Sequence, residues 1–303
     1  MSACSRNVNQ RRAKRSRKPF VPALAVCLAA GALGQSWISP ALPHPCKARH
    51  QMAGSSPAPQ APQTLRTSRI PRKAAGKELD TDAVGKYALS IAVQLLGITT
   101  FFAAIDSAVK SSGVELPDWA VFALFFGMSL RSRIFSPLDN SRPDIQKASQ
   151  GQATGGFNDR TMPSWTPPGF FFPIMWILIV APLRAASSMM IWQQAGHLCD
   201  ATILVLMLHL CVGDTWNTVN NVERRLGAAV PGVLCVWASA LAASYAYYQV
   251  EPFAGQLLLP TCLWLTVAAA LVTDTWRVNN TSGTEPLFPY RGATQTRFWF
   301  STE

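Results

Sequence analysis

The chain has 303 residues, of which 49% are hydrophobic and 14% are charged. Soluble domains carry about 25% charged residues, so this composition argues against a soluble enzyme and against a disordered protein. The first 79 residues carry a net charge of +13 and the remaining 224 carry −2, so the overall +11 belongs to the N-terminus. Because the body of the chain has no basic stripe, we expect no nucleic-acid partner.

Residues 1–83 are predicted to be a bipartite targeting presequence and linker. Residues 1–18 are basic and residues 20–34 are apolar, as in a signal peptide. Residues 35–77 are rich in Ser, Ala and Pro and contain no acidic residue, which is typical of a plastid transit peptide. The tandem resembles the presequences of algae with complex plastids and predicts a plastid membrane, either envelope or thylakoid. A signal anchor with a basic linker, or a mitochondrial or endomembrane location, is the alternative.

Six apolar stretches follow and predict an all-α, polytopic membrane helix bundle in a lipid bilayer. They cover residues 84–108, 118–130, 170–192, 201–220, 228–248 and 256–276. Most reach the ~20 residues that cross a ~30 Å hydrocarbon core, but the second is short and could be re-entrant. Six crossings place every basic loop on one side, as membrane proteins prefer. We therefore predict six spans, the first being an addition to a five-helix core.

The predicted organisation follows these stretches and their helix-breaking residues. N-terminal hydrophobic helices (84–130) precede a loop (131–162), a helical core (163–280) and a C-terminal tail (281–303). Pro163, Pro167 and Pro168 precede the third stretch, and Gly227 is predicted to separate the fourth and fifth. Short turns make consecutive helices antiparallel neighbours.

Two polar residues inside the apolar stretches are candidates for ligand binding. Arg184 lies near the middle of the third stretch, where a charge must be paired or must face a cavity. It could form an ion pair with Asp214, Asp106 or Asp274, or bind a ligand carboxylate such as a porphyrin propionate through its planar fork. His209 is either a hydrogen-bonded packing residue or an axial ligand to a haem-like metal. The sequence contains no cluster of His, Cys and carboxylate residues, so it predicts no metal site of the protein's own.

Tryptophans and prolines then point to a family. Residues 162–176 (MPSWTPPGFFFPIMW) resemble the start of the second helix in the TspO/MBR family, the tryptophan-rich translocator proteins. The similarity continues through Trp216, the Arg-Arg-Leu-Gly turn at 224–227 and the segment LPTCLWLTVAAALVTDTWRVN at 259–279. It covers about 118 residues in order and with matching helix spacing.

The resemblance implies a five-helix membrane protein built around a pocket for porphyrins, sterols or aromatic ligands, closed by the loop before the second helix. It implies no catalytic residue and no required cofactor. The residues that it assigns to the loop and the pocket are Trp165, Pro167, Pro168, Trp176, Trp216, Trp264, Ala268 and Leu271. Arg184 and His209 join this list as candidates on the grounds given above, not from the resemblance.

Departures from the family pattern favour a tetrapyrrole over a sterol. The sterol motif needs a Tyr between its Leu and its Arg, whereas here Leu271 is followed by Thr273 and Arg277. The expected function is therefore binding of a porphyrin or haem for transport, sequestration or sensing. The alternatives are an assembly or regulatory factor that uses a small-residue face (Ala238, Ser239, Ala242, Ala243) and a porphyrin-degrading enzyme. A homodimer through the fourth-stretch or fifth-stretch helix is also expected.

Overall fold

The computed structural model describes residues 77–139, 160–292 and 294–301, all within one compact unit. The predicted presequence up to residue 76 and most of the predicted loop lie outside the described residues. Within them the structure is helical, with two isolated antiparallel bridges in place of a sheet. The prediction of an all-α bundle is confirmed.

The first two helices form a hairpin. Helix α1 covers Thr81–Ser112 and ends at Gly113, whose φ of 67° suits a residue without a Cβ. Helix α2 covers Asp118–Arg131 and continues as one 3₁₀ turn, Ser132–Phe135. At 1.5 Å per α-helical and 2.0 Å per 3₁₀ residue, this second arm spans roughly 29 Å, about the thickness of a hydrocarbon core.

Five further helices follow in the described part of the chain. They are α3 (Phe171–Ala195), α4 (Ala201–Val222), α5 (Leu226–Val250), α6 (Pro252–Leu257) and α7 (Leu259–Asn279). Within the described ranges, five segments are long and apolar enough to cross a membrane: α1, α3, α4, α5 and the pair α6 with α7. The protein is therefore a multi-pass membrane protein. Helix α2 has only 14 residues, so its crossing stays a prediction.

The order of packing places the N-terminal hairpin against the core. Helix α4 packs on α5, and α5 packs on α7 and α6. Helix α1 packs on α4, whereas α2 packs on α3. On α5, Ala238 and Ala242 are exposed, but Ala243 is buried and Ser239 is half-buried. The four residues predicted to form one outward small-residue face therefore do not share a surface.

Contacts far apart in sequence identify the two ends of the bundle. At one end, Leu79 bridges to Tyr290 and Leu138 bridges to Phe298, so the starts of α1, the segment after α2 and the tail meet. At the other end, the Asp106 carboxylate accepts from the backbone N–H groups of the α3–α4 turn at 2.8 Å. We call the first the tail end. The described basic loops lie there, as the charge pattern predicts.

The C-terminal tail is fastened to the tail end by one buried arginine. The Arg225 side chain is 2% exposed and contacts Asp80 at 2.9 Å and Glu223 at 3.0 Å. It also donates to the backbone carbonyls of Tyr290 and Thr294. Burial raises the pKa of Asp80, but the Ala83 N–H and the Arg225 guanidinium outweigh burial and hold it below its ordinary value. The residue before α1 and the C-terminal tail are therefore both tied to the α4–α5 turn.

The role predicted for Gly227 is wrong. Helix α5 begins at Leu226, so Gly227 is already helical, and the left-handed residue of the turn is Arg224, with φ of 58°. A Cβ on Gly227 would lie 2.0 Å from the carbonyl oxygen of Pro286. This position requires glycine because the tail crosses directly over it.

Candidate functional site

The first feature of the candidate site is a stretch of widened helical turns in α3. Ile174–Val180 is π-helical, and the Ala181 N–H bonds to the carbonyl of Trp176, five residues back. Pro182 follows immediately and has no N–H to complete the regular helical ladder. Segments of this kind are frequent at functional sites, and here one carries Trp176.

Two of the predicted pocket tryptophans meet at one apolar cluster. Trp176 from α3 and Trp216 from α4 both pack against buried residues of α5 and α7. That cluster is Val236, Ala240, Cys262 and Leu265. The Trp216 indole donates to the Ala229 carbonyl at 3.1 Å, and a Cβ on Gly232 would lie 2.9 Å from the same ring. A glycine on α5 thus makes room for the indole.

Trp264 packs against the first residues of α3. It is 7% exposed, and its ring centroid lies 5.6 Å from that of Phe171 and 5.8 Å from that of Phe172. Its indole N–H is buried, and no described residue accepts a hydrogen bond from it. Farther along α7, Ala268 is half-buried and Leu271 is buried. The structure therefore places these three predicted residues on α7, with Trp264 against the phenylalanines that precede Trp176.

The segment before α3 is fastened across the tail end. The Trp165 indole donates to Asp274 on α7 at 2.9 Å, and Thr161 exchanges two hydrogen bonds with Asn279, of 3.0 and 2.8 Å. Pro167 is half-buried and Pro168 is exposed. Residues 160–170 are thus hydrogen-bonded to α7, one of the helices that form the apolar cluster.

Arg184 and His209 form a buried hydrogen-bonded chain in the interior. Arg184 is 5% exposed, and its Nη2 lies 2.6 Å from Nε2 of His209. Nδ1 of His209 lies 2.9 Å from Oγ of Ser239, which donates to the Val236 carbonyl at 2.8 Å. Since Ser239 has one hydrogen, Nδ1 must donate and Nε2 must accept, which makes the imidazole neutral. Both ring nitrogens are engaged, so axial binding of an iron would break one of these bonds.

The ion pair predicted between Arg184 and an aspartate is not formed. The carboxylate of Asp214 accepts from Ser132 Oγ at 2.5 Å and from Gln94 Nε2 at 2.7 Å. The two other candidate aspartates accept from the α3–α4 turn and from Trp165, as described above. Among the described residues, no carboxylate therefore lies within ion-pair distance of Arg184.

Two unpaired donors lie beside this chain. Arg184 Nε and Thr261 Oγ1 are buried, and neither has a hydrogen-bond partner among the described residues. Both side chains line a narrow cleft between the helices, together with Leu206, His209, Ala240 and Leu258. We call this the Arg184 cleft. It is too narrow to hold a water molecule, so its donors are not satisfied by solvent.

Sequence reasoning missed several of these residues. Gln94 stands alone in an apolar stretch, and an isolated amide in a membrane helix is a signal for an interhelical contact. Thr261 and Ser239 give no such signal, because a hydroxyl in a membrane helix ordinarily bonds its own backbone. In the part of the chain that the structure describes, no group of three His, Cys, Asp or Glu side chains is placed to hold a metal ion.

Comparisons with known proteins identify relatives of this chain. The model of the TspO/MBR family matches residues 145–277, which include α3 to the last turn of α7. The Sus scrofa translocator protein is 31% identical over 120 residues, which are 39% of this chain and 70% of that protein. The Homo sapiens translocator protein is 29% identical over 121 residues, 39% and 71% of the two chains. The tryptophan-rich sensory protein of Cereibacter sphaeroides is 25% identical over 123 residues, 41% and 76% of the two.

Proposed function

Since this chain belongs to the TspO/MBR family, we propose that its bundle binds a planar hydrophobic ligand, a tetrapyrrole in preference to a sterol, between α3, α4, α5 and α7. One observation carries the proposal. A buried guanidinium that has no carboxylate partner among the described residues lies near one of the pocket tryptophans, with Cζ of Arg184 5.5 Å from the ring centroid of Trp176. Porphyrins combine a flat apolar ring with carboxylates, whereas a sterol brings no acid group to such a site.

Entry of the ligand requires movement, because the interior is packed. The π-helical stretch of α3 and the fastened segment at 160–170 are the elements that would move. Trp264, Ala268 and Leu271 would extend the pocket along α7. In this proposal His209 orients Arg184 through their hydrogen bond. The bound tetrapyrrole is transported, sequestered or sensed. The site of action in the proposal is a plastid membrane, on the basis of the presequence composition.

A titration of the full chain in detergent with protoporphyrin IX tests this function. The readout is the shift of the porphyrin absorbance band, which does not depend on the number of tryptophans. Trp176→Ala and Trp216→Ala should weaken a saturable, micromolar binding by about tenfold, since stacking of one aromatic pair contributes about 0.5–1.5 kcal/mol beyond burial. Trp119→Ala is the matched control, because Trp119 is 70% exposed on α2.

Retained folding is checked by circular dichroism in each variant. Unsaturable absorbance changes that are equal in all four proteins would reject the pocket. If binding is saturable and only Trp119→Ala weakens it, the ligand binds outside the core.

A further inference from the structure

We propose that Arg184 and Thr261 form a subsite for one carboxylate group of the ligand, so that the protein selects free acids over their esters. The inference rests on the proposed function and specifies its ligand class. It concerns the Arg184 cleft, where four helices contribute side chains.

The threonines of α7 differ in what their hydroxyl groups bind. Three of them, Thr266, Thr273 and Thr275, donate to the backbone carbonyl four residues earlier, at 2.7 to 3.0 Å. Thr261 is the exception, because its Oγ1 is buried with no partner. It lies in the first turn of α7, just after the break at Leu258 that separates α6 from α7. Its hydroxyl is therefore left free to bind something in the cleft.

The nitrogens of the Arg184 guanidinium differ in their hydrogen bonding. Nη2 of Arg184 is committed to His209, which Ser239 in turn orients. Nε of Arg184 has no partner among the described residues, and the side chains of Arg184 and Thr261 line the same cleft. A carboxylate is able to accept one bond from Nε and one from Oγ1 while the bond to His209 stays intact. Both new bonds would be charge-assisted, which makes them stronger than neutral ones.

The other residues that line the cleft have hydrocarbon side chains. Leu206, Ala240 and Leu258 are apolar, so the only polar groups they leave in the cleft belong to Arg184, His209 and Thr261. Water does not fit there, and unpaired buried donors cost free energy. An acid group that enters as the leucine side chains shift would pair both donors and neutralise the arginine. An ester cannot supply the negative charge.

Protoporphyrin IX and its dimethyl ester are the probes, each titrated against the full chain in detergent at pH 7.5. The wild type should bind the free acid at least tenfold more tightly than the ester. Thr261→Val, which keeps the shape of the side chain, should weaken binding of the acid about tenfold and leave that of the ester unchanged, since one charge-assisted hydrogen bond is lost. Arg184→Gln should abolish the difference between acid and ester.

Thr275→Val is the matched control, because Thr275 is equally buried on α7 but bonds its own helix. It should retain the wild-type preference. Equal binding of acid and ester by the wild type, with saturation, would overturn the subsite and leave the proposed function standing. Loss of the preference in Thr275→Val as much as in Thr261→Val would overturn it as well. Saturable binding of neither compound would overturn the proposed function itself.

Discussion

Arg184 donates from Nη2 to Nε2 of His209 across 2.6 Å in the interior of the bundle. A buried cation is thus held by a neutral imidazole, and its charge is not cancelled by a carboxylate among the described residues. Nη2 is therefore hydrogen-bonded, whereas Nε has no partner among the described residues and the Arg184 side chain lines the cleft. This arrangement keeps the arginine oriented without occupying the group that a ligand acid would need.

His209→Leu is expected to destabilise the protein by about 1.5–3 kcal/mol, because a hydrogen bond to a charged buried group is lost. The double variant Arg184→Met with His209→Leu should recover part of that loss, since charge and partner leave together. Denaturant unfolding of the full chain in detergent measures both. The exposed His197 provides the control, and His197→Leu should be neutral. Additive losses in the double variant would contradict the coupling.

Gln94→Leu is expected to loosen the N-terminal hairpin. Gln94 is fully buried, and its amide donates to Asp214 at 2.7 Å and to the Ser132 carbonyl at 3.0 Å. Its loss leaves a buried carboxylate one donor short, at about 1–3 kcal/mol. Hydrogen exchange of the α1 amides should rise, whereas Val93→Leu, at an exposed site on the same helix, should leave it unchanged. Unchanged exchange in Gln94→Leu would show that α1 is held by apolar packing alone.

Gly227→Ala is expected to displace the tail. The added Cβ would meet the Pro286 carbonyl, a backbone atom that cannot rotate away, at 2.0 Å. Overpacking of this kind costs about 1–3 kcal/mol. Gly127→Ala on α2 is the matched control, because nothing lies within 4 Å of its new Cβ, and it should be neutral or slightly stabilising. Limited proteolysis of the tail should accelerate only in Gly227→Ala, and equal rates in both variants would be evidence against the crossing.

The tie between Asp80 and Arg225 predicts an acid-sensitive tail. The pKa of Asp80 is lowered on folding, so its contribution to stability is full above its ordinary value of about 3.9 and is lost as the pH falls through the lowered value. Tail proteolysis by an acid-active protease should therefore accelerate below about pH 4 in the wild type. In Asp80→Asn the tail should already be looser at pH 7, with a smaller further change in acid. An identical acid response in both proteins would assign the transition to other carboxylates.

The helices of this protein could be predicted because membrane spans depend on local composition, and the burial of Arg184 follows from its place in an apolar stretch. The partner of Arg184 could not. Asp214 lies five residues after His209, about 140° around α4, so the two face different neighbours. His209 meets α3 and α5, whereas Asp214 meets Gln94 of α1. Such choices depend on how helices are rotated against each other, which a single sequence does not contain.

The roles of Gly227 and Thr261 also could not be predicted, because each depends on a structural feature that the sequence does not reveal. Gly227 reads as a turn residue, but the crossing tail, nearly sixty residues later, explains it. Thr261 reads as an ordinary membrane threonine until the break at Leu258 is seen. The place of Trp176 and Trp216 in the bundle could be predicted, because both lie in apolar stretches and both match the family's sequence pattern.

The most direct test of a tetrapyrrole pocket with an acid subsite is an experimental structure of the full chain with protoporphyrin IX bound. We expect the ring to contact Trp176 and Trp216, with one propionate oxygen about 3 Å from both Nε of Arg184 and Oγ1 of Thr261. A porphyrin bound on the lipid-facing surface, or one inside the bundle with both propionates away from Arg184, would contradict it.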